Sequence, residues 1–232
     1  QTEGKLVASA PISDQHLTII TSDPTRRYYY QLVFGDKYKI KVATRNVNIP
    51  GVQNFRDLGG YPSYSTKKQM RWGMIYRSAE IDSLECSSRR ELKNLGIKTL
   101  IDLRASSEIG RQSPLQKGFN VVHIPLATGD MEDILKGIRE EKIKCDTVYR
   151  MVERMNRVLI DQYTKEYRQI FDILLDKNSY PVVIHCSSGK GRTGIVSALV
   201  LAALGINEDI IMEDYRLSND YFNIPSASKY AY

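Results

Sequence analysis

The stretch "VVIHCSSGKGRTG", residues 182–194, decides the expected fold because strand, loop and helix patterns meet in it. Its β-branched start follows "YP" as a continuous apolar run, which is typical of a strand buried on both faces of a sheet. Small residues then form a loop, and the apolar segment after Arg192 predicts a buried helix that ends at Gly205. We therefore expect the loop to lie at the carboxyl edge of a parallel sheet, where open α/β folds bind ligands.

Strand and helix patterns alternate on the amino side of this stretch. The runs "GMIYRS" (73–78), "KTLIDLR" (98–104) and "NVVHIPL" (120–126) predict strands, with a helix over residues 88–95 between the first two. Regularly spaced apolar residues predict one long amphipathic helix over residues 147–176, and a last helix is expected to begin after Asn207. The alternation predicts an α/β fold with a central, mostly parallel sheet flanked by helices.

A different pattern precedes residue 46. The runs "KLVASA", "HLTIIT", "YYYQLVF" and "KYKIKV" are rich in β-branched residues and tyrosine, which predicts short strands separated by turns. A segment of about 45 residues is marginal as a domain, so we expect these strands to depend on the rest of the chain. The chain is therefore divided into an N-terminal β-rich extension, residues 1–45, and a main domain, residues 46–232.

The composition is that of a folded globular protein, with 232 residues of which 42% are hydrophobic and 26% charged. Its net charge of +6 favours anionic partners, but the cations are scattered among acids and do not indicate nucleic acid binding. No apolar run approaches the roughly 18–20 residues of a membrane span, so no integral membrane segment is expected. The chain begins at Gln1 without Met, so we expect that an original start was removed. A periplasmic or secreted location and a cytoplasmic one both stay open, as does the oligomeric state.

The loop between Cys186 and Arg192 has the composition of an anion site. Gly189 and Gly191 lack a Cβ, so the backbone can curl until successive amides face one point. The following helix adds its positive end, and Arg192 offers a planar fork to two phosphate oxygens. The same positive charges favour the thiolate form of Cys186, a nucleophile that can attack phosphorus. Thr193 is expected to place its hydroxyl near this sulfur.

Other readings of these residues stay open. A cysteine at a strand end is commonly buried and inert, although apolar packing does not require the glycines, lysine and arginine that follow it. A reactive cysteine also serves thiol redox and sulfur-transfer enzymes, but no resolving cysteine lies near Cys186 in the sequence. Nucleotide binding is not indicated, because Gly191 after Lys190 breaks the GxxxxGK[ST] pattern.

The decapeptide "HCSSGKGRTG", residues 185–194, resembles the H-C-x5-R-[ST] signature of the cysteine-dependent protein tyrosine phosphatases. The stretch "NFRDLGGYPSYSTKKQMRWGMIYRSAEIDSL", residues 54–84, is similar to bacterial tyrosine and dual-specificity phosphatases, some of which also cleave phosphoinositides. "GIKTLIDLR" after it and "EDYRLSN" near the end fit the same subgroup. The resemblance covers about residues 46–219 and implies a tyrosine-phosphatase-like fold for this part of the chain.

The resemblance implies roles for the residues of the loop. Cys186 is the nucleophile, Arg192 binds phosphate and stabilises the transition state, and His185 orders the loop and favours the thiolate. The phosphate-binding residues are Ser187, Ser188, Gly189, Lys190, Gly191 and Thr193. The implied substrate is phosphotyrosine, with phosphoserine, phosphothreonine or phosphoinositides as further candidates, so the partner is a phosphorylated protein or a phosphoinositide. Neither a metal nor a cofactor is implied.

Two of these assignments have a plainer reading. His185 fits a buried core histidine as well as a loop-ordering one. Lys190 matches a lysine of the lipid-active enzymes, while a solvated loop lysine is the other reading. A catalytically weak phosphate-binding module of the same fold is the alternative function.

Release of the leaving alcohol or phenol needs a proton donor near the leaving oxygen. In the wider family this acid lies on a loop after a strand such as "VVHIPL", which makes Asp130 in "LATGDMED" the first candidate. Glu132 and Asp133 follow it, and Asp102 in "IDLR" is a further option. Many members of the bacterial subgroup carry an Asp directly before the signature arginine, where this chain has Gly191.

Two other acids are expected to have structural roles. Asp57 is predicted, with Arg56, to hold the turn that ends at Gly59 and Gly60. Asp214 is predicted to hold the last helix against the loop.

Overall fold

A computed structural model describes residues 4–21, 23, 26–35, 37–81, 86–109, 118–127, 140 and 145–223. The chain divides into two compact units, Gln1–Thr44 and Arg45–Tyr232.

The first unit contains one antiparallel hairpin, in which β1 (Tyr29–Phe34) pairs with β2 (Tyr38–Ala43). Its register places six apolar or aromatic side chains on one face, namely Tyr30, Leu32 and Phe34 opposite Val42, Ile40 and Tyr38. Among the described residues of this unit, the strand structure is confined to this hairpin.

The prediction of two strands before this hairpin, in "KLVASA" and "HLTIIT", was wrong. Residues 4–21 form no strand, and Leu6, Ile12 and Ile20 are 80, 90 and 94% exposed. β-branched composition does not make a strand by itself, because the backbone also needs a neighbour to complete its ladder of hydrogen bonds.

The second unit is built on a five-stranded sheet with the order β3-β4-β7-β5-β6. Its strands are β3 (Arg56–Asp57), β4 (Ile75–Ser78), β5 (Thr99–Asp102), β6 (Asn120–His123) and β7 (Val182–His185). β3 runs antiparallel to β4, and every other pair is parallel. The predicted α/β fold with a mostly parallel sheet is confirmed.

Helices cover both faces of this sheet. The helices are α1 (Cys86–Asn94), α2 (Cys145–Gln162), α3 (Thr164–Leu175), α4 (Gly191–Ala203), α5 (Glu208–Arg216) and α6 (Ser218–Tyr221). Successive residues of β7 enter opposite cores: Val182 and Ile184 pack with α2, α3 and α4, whereas Val183 packs with Leu92 of α1. This explains the continuous apolar run of β7, since a strand covered on both sides has no solvent face.

The long helix expected over residues 147–176 is broken at Tyr163, which has φ −107° and ψ 29° and separates α2 from α3. The Tyr163 hydroxyl donates a hydrogen bond of 2.8 Å to the carbonyl of Ala127. The apolar spacing predicted the helical conformation but not the break, because the contact with Ala127 depends on residues distant in sequence.

Candidate active site

The loop expected to bind phosphate lies at the carboxyl edge of the parallel strands. Ser78 of β4, Asp102 of β5 and His185 of β7 are partners in register, so the three strands end side by side. Cys186 follows directly and is 1% exposed. Arg192 lies in the first turn of α4 and is 8% exposed, so its guanidinium is not directed into solvent.

Three consecutive carbonyl groups of the loop are held from outside it. The carbonyl of Ser187 accepts from the Glu80 amide at 3.2 Å, and that of Ser188 accepts from Asn54 Nδ2 at 3.2 Å. The carbonyl of Gly189 accepts from Asn54 Nδ2 at 3.0 Å and from Arg77 Nη2 at 2.8 Å. The outer side of the loop is therefore fixed by strongly donating groups.

These contacts orient the amides on the other side of the loop. In a trans peptide the C=O and the following N–H point in opposite directions, so bound carbonyls turn the next amides away from their partners. Within the described part of the chain, the amides of Ser188 and Gly189 donate to no acceptor. Gly189 has φ +67° and is followed by Lys190 in the right-handed helical region, a left–right succession typical of anion-binding backbone nests.

A buried ionic cluster supports the carbonyl contacts. Asp214 of α5 accepts from Arg77 Nη1 at 2.7 Å and from the Tyr61 hydroxyl at 2.9 Å, and its Oδ1 lies 3.5 Å from Arg56 Nε. Arg56 also donates to Asn54 and, at 3.0 Å, to Ser218 Oγ. Asp214 thus reaches the loop through Arg77, in agreement with the prediction that it holds the last helix there.

The electrostatics of this cluster follow from burial. Burial and the neighbouring charge of Arg77 lower the pKa of Arg56 to about 10, although Asp214 opposes the shift. Burial and the charge of Asp214 raise the pKa of Tyr61. Asp214 is 1% exposed, and its charge is compensated by two guanidinium groups rather than by water.

Asp57 holds the turn as expected. Its carboxylate accepts from the amides of Gly59 and Gly73, both at 2.7 Å. Arg56 contributes differently from the prediction, because its guanidinium reaches α5 and α6 rather than the turn.

Sequence reasoning missed Glu108, which contacts the loop directly. Its carboxylate accepts from Arg192 Nη1 at 2.5 Å and Nη2 at 2.7 Å, and from Ser187 Oγ at 2.6 Å. It also accepts a hydrogen bond of 2.8 Å from the amide of Ala105. Glu108 follows Ala105 by three positions, which is the spacing of a capping box, and this spacing could have suggested the contact. The fork of Arg192 that is expected to bind phosphate is thus held by a carboxylate.

This pair shifts both pKa values. Burial by itself raises the pKa of Glu108, but the hydrogen bonds from Arg192 and Ser187 outweigh it and lower the pKa to about 2. Burial by itself lowers the pKa of Arg192, but the hydrogen bonds to Glu108 raise it.

His185 and Asp102 lie beneath the loop at the ends of β7 and β5. His185 is fully buried, with Nδ1 4.0 Å from Asp102 Oδ1. Asp102 accepts from Arg104 Nη2 at 2.6 Å and Nε at 2.9 Å. Burial opposes ionisation of Asp102, yet these bonds and the charge of His185 lower its pKa, so this carboxylate is a poor proton donor.

Thr193 and Lys190 complete the described part of the site. The Thr193 hydroxyl is buried and has no hydrogen-bond partner among the residues described. Lys190 is half-buried; its Nζ lies 3.3 Å from Asn219 Oδ1 and 5.7 Å from the centroid of the Phe222 ring. Lys190 therefore contacts α6 and the residue that follows it rather than being free in solvent.

The remaining candidate acids, Asp130, Glu132 and Asp133, lie outside the described residues. In the described ranges no group of three or more His, Cys, Asp or Glu side chains is arranged to hold a metal ion. None of the described helices is long and apolar enough to cross a membrane.

Comparisons with known proteins identify the class of this site. Residues 47–231 match the tyrosine phosphatase family. The chain therefore belongs to the tyrosine phosphatase family, whose members are phosphomonoesterases.

Two relatives and one solved structure illustrate the similarity. The chain is 32% identical over 194 residues to "Triple specificity protein phosphatase PtpB" of Mycobacterium tuberculosis, an alignment covering 74% of this chain and 68% of that protein. It is 26% identical over 148 residues to "Tyrosine-protein phosphatase" of Nostoc commune, which covers 62% of this chain and 48% of that one. The crystal structure of P. aeruginosa TpbA is 17% identical with a TM-score of 0.38, covering 70% of this chain and 81% of that one.

The first prediction concerns the backbone of the loop. A Cβ at Gly189 would lie 2.4 Å from the Ser78 carbonyl oxygen, and φ is +67°, so Gly189→Ala must displace the loop. We expect orthophosphate affinity to fall by about tenfold or more, a loss of roughly 1.4 kcal/mol, measured by isothermal titration calorimetry. Gly191→Ala is the matched variant, because its Cβ would meet no atom within 4 Å, and it should lose far less. Parent-like affinity in Gly189→Ala would contradict the cradle.

The second prediction concerns Glu108, whose carboxylate competes with phosphate for Arg192. Glu108→Gln removes this negative charge, so orthophosphate should bind about tenfold more tightly at pH 7, measured by the same calorimetry. Glu213→Gln, at an exposed position of α5, is the control and should bind as the parent does.

The same variant has a defined pH signature. Because folding lowers the pKa of Glu108 from 4.5 to about 2, its contribution to stability is full above pH 4.5 and is lost as the pH falls through about 2. The free energy of unfolding of the parent relative to Glu108→Gln, from urea titrations, should therefore decline across this window. A difference that stays constant between pH 5 and pH 2 would refute the assignment.

Proposed function

We propose that this chain removes phosphate from phosphotyrosine through a cysteinyl-phosphate intermediate, with phosphoserine, phosphothreonine and phosphoinositides as further substrates. The observation that carries the proposal is the geometry of the loop between β7 and α4: Cys186 directly follows the strand, Arg192 lies in the first turn of the helix, and the carbonyls of Ser188 and Gly189 between them are bound by groups outside the loop. Sulfur, guanidinium and amides together match the charge distribution of a phosphoryl group under attack.

The first chemical step transfers the phosphoryl group to sulfur. The Cys186 thiolate attacks phosphorus opposite the leaving oxygen, an S–P bond forms, and the P–O bond breaks with its electron pair on oxygen. Arg192 and the loop amides stabilise the charge on the three equatorial oxygens. For this step the Arg192 fork must exchange the Glu108 carboxylate for phosphate oxygens.

The second step returns the enzyme to its starting state. Water attacks phosphorus and gives a proton to the carboxylate that protonated the leaving oxygen, the S–P bond breaks with its electron pair on sulfur, and orthophosphate leaves. Thr193 is the candidate donor to the departing thiolate, since its buried hydroxyl finds no acceptor among the described side chains.

The proton for the leaving oxygen is assigned to Asp130. Glu108 and Asp102 are unsuitable at neutral pH, because their partners Arg192 and Arg104 lower the pKa of each carboxyl group. Asp130, with Glu132 and Asp133 behind it, follows β6 on the chain and stays the first candidate by its place in the sequence.

Two observations support a substrate range wider than phosphotyrosine. The M. tuberculosis relative is named a triple specificity phosphatase. Lys190 adds a half-buried cation next to the loop, which suits substrates with more than one phosphate group, such as phosphoinositides.

A catalytically weak phosphate-binding module is the second candidate. It is favoured by the occupation of Arg192 by Glu108 and by Gly191, which offers no proton donor directly before the arginine. Tight vanadate binding with negligible turnover by the parent protein would select this candidate.

The third prediction tests the nucleophile and the arginine. Cys186→Ser should lower kcat for an aryl phosphate by on the order of 10³-fold or more, because a serine hydroxyl is not ionised at neutral pH. Arg192→Lys should lower it by roughly 10²–10³-fold, since a point charge cannot replace the bidentate fork. Cys86→Ser, at an exposed free cysteine, is the control and should retain parent activity. Comparable rates for Cys186→Ser and the parent would end the proposed mechanism.

The fourth prediction tests the acid. A general acid contributes about 10²–10⁴-fold, and more when the leaving group is a strong base. Asp130→Asn should therefore lower kcat for phenyl phosphate far more than for p-nitrophenyl phosphate, whose leaving group needs little protonation. Glu132→Gln and Asp133→Asn are the matched variants. If one of them, and not Asp130→Asn, shows this dependence on the leaving group, the assignment to Asp130 is wrong.

A further inference from the structure

A cavity lies at the opposite edge of the sheet from Cys186. It is partly open to solvent, has a volume of about 600 Å³ and is bordered by Ile75 at the start of β4, by Tyr180 just before β7 and by Leu204 just after α4. Because β4 and β7 run parallel, their amino ends share the edge away from the catalytic loop. α4 connects the two edges, and its 13 residues span roughly 20 Å.

The inner wall of this cavity is apolar. Met70, Met74, Ile75 and Ile206 line it, and Leu204, which is 42% exposed, forms part of its rim. Its volume lies within the range of about 300–1,000 Å³ that is typical of small-molecule sites, and such sites are largely apolar with few charged groups.

The charged groups of this cavity all have the same sign. Lys68, Arg71 and Lys177 line it, and its lining contains no acidic residue. Across the described chain, none of these three side chains has a hydrogen bond or an ion pair. Their charges are therefore available to an anion, while their aliphatic stems extend the apolar wall.

We propose that this cavity binds a small amphipathic anion, with an aliphatic body on the methionine and leucine side and a carboxylate or phosphate head between the three cations. An apolar body by itself would leave the cations unused, and a bare anion would leave the apolar wall unused. The site is separate from the phosphate loop and does not depend on its activity.

The experiment measures binding of sodium decanoate to the full chain by calorimetry, with 1-decanol and acetate as matched ligands. We expect decanoate to bind about tenfold or more tightly than decanol, because decanol lacks the charge, and on the order of 100-fold more tightly than acetate, which lacks the chain. The thermal midpoint of unfolding should rise with decanoate, since a ligand of the folded state stabilises it. Equal affinity for decanoate and either matched ligand, or no decanoate binding up to millimolar concentration, would overturn the proposal.

Variants localise the effect. The triple change Lys68→Gln, Arg71→Gln, Lys177→Gln should weaken decanoate binding by about tenfold or more, and Leu204→Ser should weaken it independently. Lys165→Gln, an exposed lysine of α3, is the control. Folding of each variant is checked by its thermal midpoint of unfolding without ligand, which should stay close to that of the parent. If decanoate affinity is unchanged in both the triple variant and Leu204→Ser, the site is refuted. It is also refuted if the triple variant loses binding to anionic vesicles but still binds decanoate as the parent does.

Discussion

The carbonyl oxygen of Gly189 accepts hydrogen bonds from Asn54 and Arg77, and these contacts decide which way the loop amides face. Arg77 can hold this position because Asp214 neutralises it in an interior shielded from solvent. Removing one partner of such a buried pair leaves an uncompensated charge, at a cost of about 3–5 kcal/mol. The geometry of the anion cradle therefore depends on a carboxylate of α5, which lies outside the signature sequence.

Arg192 is subject to two demands. A guanidinium buried at the start of a helix needs a counter-charge, and Glu108 provides it through a bidentate pair. In the proposed mechanism the same fork serves the substrate phosphate, which arrives with about the same geometry and a larger charge. The Glu108 carboxylate would then oppose substrate entry, and its charge would link folding stability to phosphate affinity.

Much of the fold was predictable from local patterns. The strands around "MIYRS", "TLID", "NVVH" and "VVIH" lie where apolar runs predicted them, because buried parallel strands carry their signal in consecutive residues. The two strands expected within residues 4–21 are absent, and the helix expected over residues 147–176 breaks at Tyr163. These differences arise where pairing with, or contact to, a distant segment decides the conformation.

The sequence by itself determined the chemistry of the loop: a cysteine, glycines and an arginine at fixed spacing between a strand and a helix. Only the tertiary structure decided what surrounds it. Glu108 reaches Arg192 across 84 positions of sequence, and Arg77 reaches Gly189 across 112. The ion pair with Arg192 and the hydrogen bonds to the Gly189 carbonyl depend on which residues are close in space. The spacing of residues along the chain does not reveal this. The signature therefore predicts which atoms react, while the fold determines how they are held and which groups contact them.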